Sequence, residues 1–354
     1  MKICFVLTGY SIVPTGGHKV IYEYANRLSE NNEVALLFLN EGFYEKKYIP
    51  DFLRKIIIDY NTNKEPRWFN ISKNVKKISA YGKKNIEDEL KDYVLVATAV
   101  ETAKITKELC KGKKGYYFIQ DFENWNCDDE DVYETYKLGL VPITISTWLK
   151  QIVDQYSTTP SFLLPNPIDE KLYRTVIPIE DRKRHTIGLL YHESKHKGVK
   201  IALEVIHRIK ELYGDLEVYM FGTANEPKEL PEWIHYTKNA TVEQTIQIYN
   251  TVTVFLCASI EEGFGLTGLE AMTCGCVLVS TAYKGVLEYA VNDENALLSP
   301  VNDIEALVKN VRIIFDDDKR MKGLVENAKN SIKSRSWEEQ TKKIIEIFGK
   351  NENN

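Results

Sequence analysis

The stretch from Val252 to Glu270 reads VTVFLCASIEEGFGLTGLE. Its apolar start predicts a buried strand, its glycine-rich centre predicts a tight turn, and its end predicts the start of a helix. A strand, a glycine turn and a helix N-terminus together form an anion site, because the first helical amides are unpaired and the helix dipole is positive there. Here Glu262 and Glu270 bracket the turn. A site for phosphate alone does not need these carboxylates, whereas a site that also binds hydroxyl groups does.

The same alternation of strands and helices extends over both halves of the chain. In the first half, apolar runs predict strands at 2–8, 33–39, 56–58, 93–97, 115–119 and 141–145. The sequence from Leu164 to Asp169, LPNPID, interrupts the pattern and predicts a linker. After it, further strands are predicted at 186–191, 216–221, 252–258 and 276–280. We therefore expect an α/β protein with two doubly wound domains, and an active site in the cleft at the strand ends.

Composition limits the protein class. A chain of 354 residues with 44% hydrophobic and 27% charged residues is typical of a two-domain globular protein. The net charge of -5 argues against a nucleic-acid binder. No stretch approaches the roughly 20 apolar residues of a membrane span. Met1–Leu7 predicts a first strand and is too short for a signal peptide. Six scattered cysteines predict reduced thiols and a cytoplasmic location.

A local basic cluster stands out in the first half. It consists of Lys73, Lys76, Lys77, Lys83 and Lys84, and acidic residues follow at 87–89. The favoured interpretation is a solvated helix face. The alternative is a patch that touches anionic lipid, which would place the protein at the inner face of the membrane as a peripheral protein.

Several motifs in order resemble the retaining group 1 glycosyltransferases, family 4, which have the GT-B fold. The most specific is Glu262-x7-Glu270 with Gly-Phe-Gly inside it. The others are the 164–169 linker, Lys197-Gly198, Gly285-Val-Leu-Glu288, Asn295-Ala-Leu-Leu298 and Ser336-Trp337. The resemblance implies two Rossmann-like domains that face each other across a cleft. Residues 1–165 would bind the acceptor, residues 166–335 would bind the donor, and a terminal helix at 336–350 would pack back on the first domain.

The resemblance also implies an activity, which is transfer of a sugar from a nucleoside-diphosphate sugar to an acceptor hydroxyl with retention of configuration. In that scheme Glu262 binds hydroxyls of the donor sugar and Glu270 binds the ribose hydroxyls. Ionised carboxylates suit polyols, since they accept hydrogen bonds and donate none. The amides of Gly265, Leu266 and Thr267 would point at the diphosphate.

Further residues would handle the phosphates. By resemblance, Lys197 neutralises the leaving diphosphate. The family usually has an arginine five residues earlier, and here that position is His192. Either Lys195 substitutes for the arginine, or the donor is bound differently. The pair Gly16-Gly17 follows the first strand and would lie beside the donor phosphates and the acceptor.

The donor sugar is expected to be selected near Gln120 and Asp121. Many family members have a histidine at the end of this strand, whereas this chain reads Gln-Asp-Phe-Glu from 120 to 123. That pattern resembles bacterial rhamnosyltransferases of cell-surface polysaccharide. Asp121 would orient the acceptor hydroxyl or contact the donor. We therefore expect a 6-deoxy sugar such as rhamnose, activated by dTDP or UDP, and a glycan or lipid-linked acceptor of the cell envelope.

Acidic runs at 128–131 and 316–318 are interpreted as solvated surface, so no metal and no cofactor are expected. Two alternatives remain open from the sequence. One is a nucleotide-sugar 2-epimerase, which needs no acceptor. The other is a non-catalytic subunit that binds a nucleotide sugar, which the absent arginine at position 192 makes conceivable.

Overall fold

The computed structural model describes residues 1–40, 49–83, 85–333 and 335–349. The chain divides into two compact units. The first unit comprises Met1–Pro165 together with the chain from Glu338 onward, and the second comprises Asn166–Trp337. Residue 350, the last residue of the predicted terminal helix, lies outside the described residues.

The first unit contains a seven-stranded sheet in which all pairs are parallel and the order is β3-β2-β1-β4-β5-β6-β7. The strand at Lys2–Leu7 is an inner strand and is buried from Ile3 onward, because helices cover both faces of the sheet. The strands are β1 Lys2–Leu7, β2 Glu33–Phe38, β3 Val75–Ser79, β4 Val94–Ala97, β5 Tyr116–Ile119, β6 Val141–Thr144 and β7 Phe162–Leu163. The helices are α1 Gly16–Leu28, α2 Asp51–Lys64, α3 Ile86–Leu90, α4 Val100–Leu109, α5 Asp129–Tyr136 and α6 Thr147–Tyr156.

The second unit repeats the arrangement with a six-stranded parallel sheet, ordered β10-β9-β8-β11-β12-β13. Its strands are β8 Thr186–Leu190, β9 Glu217–Gly222, β10 Ile234–Lys238, β11 Val254–Cys257, β12 Val277–Thr281 and β13 Leu297–Ser299. Its helices are α7 Val199–Leu212, α8 Val242–Thr251, α9 Leu266–Thr273, α10 Ile304–Asp316 and α11 Asp318–Ile332. The strand order reverses between β1 and β4 in one unit and between β8 and β11 in the other. The predicted pair of doubly wound Rossmann-like domains is therefore confirmed.

Two sequence predictions about the first unit are wrong. The strand predicted at 56–58 lies inside α2, where only Ile58 of the three isoleucines is buried. Three consecutive β-branched residues favour a strand locally, but the helix places just one of them on the sheet. The third strand is instead β3. It carries Lys76 and Lys77, so this part of the basic cluster lies on a strand and not on a helix face. Lys84 lies outside the described residues.

The last helix, α12 (Trp337–Gly349), packs within the first unit along β5. Tyr116 donates its hydroxyl to the carbonyls of Ile347 and Phe348, 3.2 Å away in each case. The rings of Tyr116 and Phe348 meet edge to face at 4.7 Å. In the second unit, Ile168 forms a parallel bridge with Ser336. The chain therefore enters and leaves the second unit side by side.

No helix in the described residues is long and apolar enough to cross a bilayer. All six cysteines are free thiols, and five of them are buried.

Arg182 joins several loops at one end of the second unit. The residue is 8% exposed, and its guanidinium donates to the carbonyls of Ile177, Tyr249, Val252 and Cys274 at 2.6–3.0 Å. A planar group with five donors can satisfy several carbonyls that would otherwise be buried without a partner.

We expect Arg182→Met to lower the free energy of unfolding of the second unit by about 3 kcal/mol or more, because buried carbonyls lose their donors. Chemical denaturation followed by circular dichroism measures this loss. The control is Arg320→Met, which removes an exposed ion pair with Asp293. It should change stability by no more than about 0.5–1 kcal/mol. Equal losses in the two variants would contradict the role of Arg182.

Candidate active site

The turn between β11 and α9 is shaped by a glycine with a left-handed backbone. Gly265 has a φ of 87° and forms the N-cap of α9. A Cβ at this position would lie 1.9 Å from the hydroxyl oxygen of Tyr283. The hydroxyl of Tyr289 donates to the Gly265 carbonyl at 2.6 Å. Both tyrosines are buried, so the side chains that contact the turn are held in place by the core. Gly265 is thus the N-cap, and Leu266 and Thr267 belong to the first turn of α9, where backbone amides have no partner within the helix.

Two further glycines allow other loops to approach this turn closely. A Cβ on Gly285 would lie 2.5 Å from the carbonyl oxygen of Glu262. A Cβ on Gly198, which has a φ of 59°, would lie 1.8 Å from the carbonyl oxygen of Ala258. The loop before α7 is therefore pressed against the end of β11, and this contact brings the two loops' side chains together.

Lys197 and Glu262 form an ion pair at this junction. The Lys197 ammonium lies 2.8 Å from one Glu262 oxygen, with side-chain exposures of 27% and 10%. The hydroxyl of Ser259 donates to the other Glu262 oxygen. Thr281 in turn donates to the Ser259 carbonyl, which fixes the segment between β11 and the turn. Both carboxylate oxygens of Glu262 are thus held by the protein, as a nearly buried charge requires.

The backbone of the Lys197 loop is also fixed. Lys195–Lys197 form a single 3-10 turn, and the Ile260 amide donates to the His196 carbonyl at 2.7 Å. Lys195 is exposed at the start of this turn. Lys197, Ser259, Glu262 and Thr267 line one small pocket, together with Leu189, Leu190 and other residues from the ends of β8 and β11. This is the switch point of the second sheet, where ligands bind in open α/β folds.

His192 lies exposed just beyond β8. Its Nδ1 accepts a hydrogen bond from the Ser194 amide at 3.0 Å, so the neutral ring carries its proton on Nε2. The pKa of His192 is lowered, first by partial desolvation and then by the nearby Lys197 ammonium. A neutral imidazole is therefore favoured here, and it offers one N–H donor rather than a full positive charge.

Glu270 lies one turn beyond the start of α9 and is 6% exposed. The hydroxyl of Tyr249 donates to its Oε2 at 3.1 Å. Tyr249 is fully buried at the end of α8. Glu270 is not among the residues that line the pocket around Lys197, so the two glutamates face different surroundings.

In the first unit, three of the predicted site residues lie together. Gly16 and Gly17 open α1, and a Cβ on Gly17 would lie 3.3 Å from Nε2 of Gln120. The loop before α1 is tied down by His18, whose ring contacts the Thr15 hydroxyl and the Gly9 carbonyl, each at 3.0 Å. The carboxyl ends of β1 and β5 are thus brought to one place at the N-terminus of α1.

Asp121 is turned toward its own backbone, since its Oδ1 accepts from the Phe122 amide at 2.9 Å. Sequence reasoning gave no role to the nearby Glu123. Its Oε2 accepts from the Val100 amide at 2.7 Å, at the N-terminus of α4. Desolvation raises the pKa of Glu123 to about 8, although the Val100 hydrogen bond opposes the shift. The carboxylates of Glu101 and Asp121 raise this pKa further.

Sequence reasoning also missed Ser259, Tyr249, Tyr283 and Tyr289. Ser259 stands three residues before Glu262, and that spacing was a usable signal. The tyrosines are 18–24 residues away from the positions that they support in the chain, and no local pattern connects them.

The acidic runs at 128–131 and 316–318 take part in helix ends. Asp128 is the N-cap of α5, and Asp317 is the N-cap of α11 and accepts from the Arg320 amide at 2.9 Å. Asp316 accepts from the Tyr213 hydroxyl at 2.7 Å. Within the described ranges, no group of three or more His, Cys, Asp or Glu side chains is placed to hold a metal ion.

We expect Gly265→Ala to destabilise the second unit by about 2 kcal/mol or more, because a side chain is strained at this φ and meets Tyr283. The control is Gly323→Ala in α11, where a Cβ meets no atom within 4 Å. That change should be neutral or stabilising by about 0.5–1 kcal/mol. Thermal unfolding measures both, and equal effects would show that the turn is not constrained as described.

The raised pKa of Glu123 predicts a pH-dependent stability. The unfolded chain releases this proton near the ordinary glutamate pKa of 4.5, and the folded chain releases it near about 8. The protonated carboxyl therefore favours the folded state at low pH, and this advantage is lost as pH rises from about 5 to 8. The melting temperature of the wild type minus that of Glu123→Gln should fall across this window. The control is Glu108→Gln, an exposed carboxylate near the end of α4, and its difference from the wild type should not show this fall. Parallel curves for the wild type and Glu123→Gln would contradict the shift.

The second unit of the chain is similar in sequence to known proteins. Residues 180–331 match the family model described as "Glycosyl transferases group 1". D-inositol 3-phosphate glycosyltransferase of Corynebacterium urealyticum is 26% identical over 179 residues, which are 46% of this chain and 42% of that protein. Alpha-maltose-1-phosphate synthase of Mycolicibacterium smegmatis is 30% identical over 196 residues, 48% of this chain and 49% of that protein. The matches thus span about half the length of these curated relatives.

Comparison with solved structures matches the whole chain in fold. Sucrose-phosphate synthase from Thermosynechococcus elongatus has a TM-score of 0.77 at 14% identity, covering 99% of this chain and 98% of that one. Anabaena HepE, in complex with UDP and glucose, has a TM-score of 0.75 at 14% identity, covering 99% and 100%. The second unit is therefore similar in sequence to the group 1 glycosyl transferases, and the chain as a whole has the GT-B fold of its structural neighbours.

Proposed function

We propose that this protein is a retaining glycosyltransferase of family 4 that moves a sugar from a nucleoside-diphosphate sugar to a hydroxyl of a growing glycan. The observation that carries the proposal is the Lys197–Glu262 pair, 2.8 Å apart, at the head of α9. Two adjoining loops there offer a cation and helix amides for a diphosphate, and a carboxylate for sugar hydroxyls. The match of residues 180–331 to the group 1 family supports the same activity.

In this scheme the diphosphate gains negative charge as the bond to the sugar breaks. Lys197 and the amides of Gly265, Leu266 and Thr267 stabilise that charge from positions that are set before the donor binds. His192 contributes its Nε2–H as a neutral donor, and Lys195 supplies a second, exposed positive charge. The neutral histidine and Lys195 together take the place of the arginine found in similar enzymes.

The proposed retention rests on the resemblance to the retaining family 4 enzymes, and the contacts of Glu262 fit a mechanism without an enzyme nucleophile. One of its oxygens is paired with Lys197 and the other accepts from Ser259, so it is poorly suited to attack the sugar as a nucleophile. Its carboxylate is better suited to accept hydrogen bonds from sugar hydroxyls. We propose that the leaving phosphate itself takes the proton of the acceptor hydroxyl on the same face of the sugar. The protein then supplies position and charge stabilisation, without a resident metal or cofactor.

Glu270 is proposed to accept hydrogen bonds from the ribose hydroxyls. Tyr249 fixes the orientation of the carboxylate through a 3.1 Å hydrogen bond to one oxygen. A carboxylate has about four acceptor sites, so this bond leaves capacity for a diol. Separation of the roles of Glu262 and Glu270 is in line with their different surroundings.

The nucleotide is proposed to be UDP or dTDP. Structures of HepE and TarM, which share the fold at 10–15% identity, are described as complexes with UDP or UDP-glucose. The proposal of rhamnose, or another 6-deoxy sugar, rests on Gln120 and Asp121 at the end of β5. Gln120 lies against Gly17 at the start of α1, and we propose that it contacts the donor or the acceptor there. A donor screen in which only glucose or N-acetylglucosamine is transferred would contradict it.

The acceptor is proposed to be a glycan or a lipid-linked glycan of a bacterial cell envelope. Relatives include a capsular polysaccharide biosynthesis glycosyltransferase of Staphylococcus aureus, 20% identical over 187 residues. A cytoplasmic location stays a prediction from the reduced cysteines. No observation favours the 2-epimerase, and the relatives named above are described as transferases or synthases.

The activity is tested by incubation with UDP-, dTDP- and GDP-sugars, with and without a mixture of envelope glycan acceptors. We expect the nucleoside diphosphate to be released only when an acceptor is present, and the anomeric configuration of the product to match that of the donor. Glu262→Gln should lower kcat/KM by about 100-fold or more, because it removes a charged acceptor next to the reacting sugar.

The matched control is Glu261→Gln, which changes the adjacent carboxylate and should keep kcat/KM within about threefold of the wild type. An epimer formed from the donor alone would support the epimerase instead. Thermal stabilisation by a nucleotide sugar without any turnover would support a non-catalytic binding subunit.

A further inference from the structure

The outer surface of α2 is apolar. Eight of its positions are exposed, and five of these carry large apolar side chains. We call these five the α2 apolar face: Phe52 (66% exposed), Leu53 (41%), Ile56 (61%), Ile57 (38%) and Tyr60 (56%). Contiguous apolar surface of this kind is uncommon on a monomer and marks a place where something binds.

The apolar residues of α2 lie on the opposite side from those of an ordinary surface helix. At 3.6 residues per turn, the α2 apolar face covers an arc of about 140°. Ile58 and Thr62 point the other way and are buried on the sheet. Thr62 accepts there from the Asn40 side chain at 3.2 Å. A normal amphipathic helix buries its apolar stripe in the core and exposes its polar residues. Burial against the sheet therefore does not explain the exposed apolar residues of α2.

Polar contacts on both flanks hold α2 in this orientation. Arg54 donates to the Ile49 carbonyl at 2.8 Å and to the Tyr81 hydroxyl at 3.1 Å. Lys77 reaches from β3 to the carbonyls of Asn63 and Glu65 at the end of the helix. The helix is thus anchored along its sides, and the α2 apolar face is left outward.

The segment of chain that contains this face is basic. Residues 51–83 contain eight Lys and Arg and three Asp and Glu, a net charge of +5, in a chain whose net charge is -5. Lys64 lies directly beside the face, with its ammonium 4.4 Å from the centre of the Tyr60 ring. The acidic stretch that follows engages part of the cluster, since Glu89 pairs with Lys76 and Lys83. After this pairing, the net charge of the segment is still positive.

We propose that the α2 apolar face docks onto an anionic lipid surface, with the helix lying in the plane of the interface. Apolar side chains enter the boundary of the acyl chains while nearby lysines and arginines meet anionic headgroups. A second copy of this chain is a poorer partner, because a symmetric contact would bring two positively charged surfaces together. The inference does not depend on the proposed activity, but it fits an acceptor that is linked to a lipid.

The test is co-sedimentation of the full chain with vesicles of phosphatidylcholine and phosphatidylglycerol in equal amounts. We expect the wild type to bind these vesicles, and to bind pure phosphatidylcholine vesicles at least about fivefold more weakly. Binding to the anionic vesicles should also weaken at about 0.5 M NaCl, because salt screens the charge attraction.

The variant Phe52→Ser with Ile56→Ser removes the two most exposed members of the face. It should lower partitioning into anionic vesicles by about tenfold or more, with an unchanged melting temperature, because neither side chain is buried in the protein. The matched control is Leu212→Ser with Val176→Ser, two side chains of the second unit that are 55% and 63% exposed. This control should bind vesicles as the wild type does.

Three results would overturn the proposal. The wild type does not bind anionic vesicles at all, or the Phe52 and Ile56 variant binds as well as the wild type. The third is a dimer of the wild type in sedimentation velocity that the variant abolishes, without any vesicle binding. In that case the face joins two copies of the chain. Because none of these measurements uses turnover, their failure is separate from a failure of the proposed activity.

Discussion

The ion pair between Lys197 and Glu262 is the interaction on which the candidate site depends. Removing two charges from water costs several kcal/mol, and their attraction offsets this only when the geometry is good and the remaining polar atoms are hydrogen-bonded. Both conditions are met here, because Ser259 donates to the second carboxylate oxygen and the two atoms of the pair lie 2.8 Å apart. The pair therefore gives the site a cation and an anion whose positions are set before any ligand binds.

The geometry of the pair comes from the backbone around it. Gly198 and Gly285 allow two loops to approach the end of β11 and the following turn at distances that no other residue permits. Gly265 adopts the left-handed conformation that starts α9 above the hydroxyl of Tyr283. Parallel strands end at one edge of the sheet, so all these loops emerge at the same place. The fold thus concentrates charge and helix amides at one point of the second unit.

The sequence was sufficient for the architecture and for the local part of the site. Strands that are buried on both faces, such as β1 and β11, read as continuous apolar runs, and the turn after β11 is a motif of nine adjacent residues. The errors arose where tertiary contacts override local preference. The three isoleucines in α2 looked like a strand, and β3 was hidden because two consecutive lysines, Lys76 and Lys77, interrupt its apolar residues. The hydrogen bond from Tyr249 to Glu270 could not be predicted either, since 21 residues separate them and no sequence pattern connects them.

We propose that Lys197 binds the diphosphate and that Glu262 binds the sugar. The most direct test is calorimetric titration of the variants Lys197→Met and Glu262→Gln. Each variant is titrated with one nucleoside diphosphate and with the same nucleotide bearing its sugar. We expect Lys197→Met to weaken the binding of both ligands by a similar factor of about 10 to 100. Glu262→Gln should lower the affinity for the nucleotide sugar and leave the affinity for the nucleoside diphosphate nearly unchanged. An equal loss of affinity for both ligands in Glu262→Gln, or no loss in Lys197→Met, would contradict this division of roles.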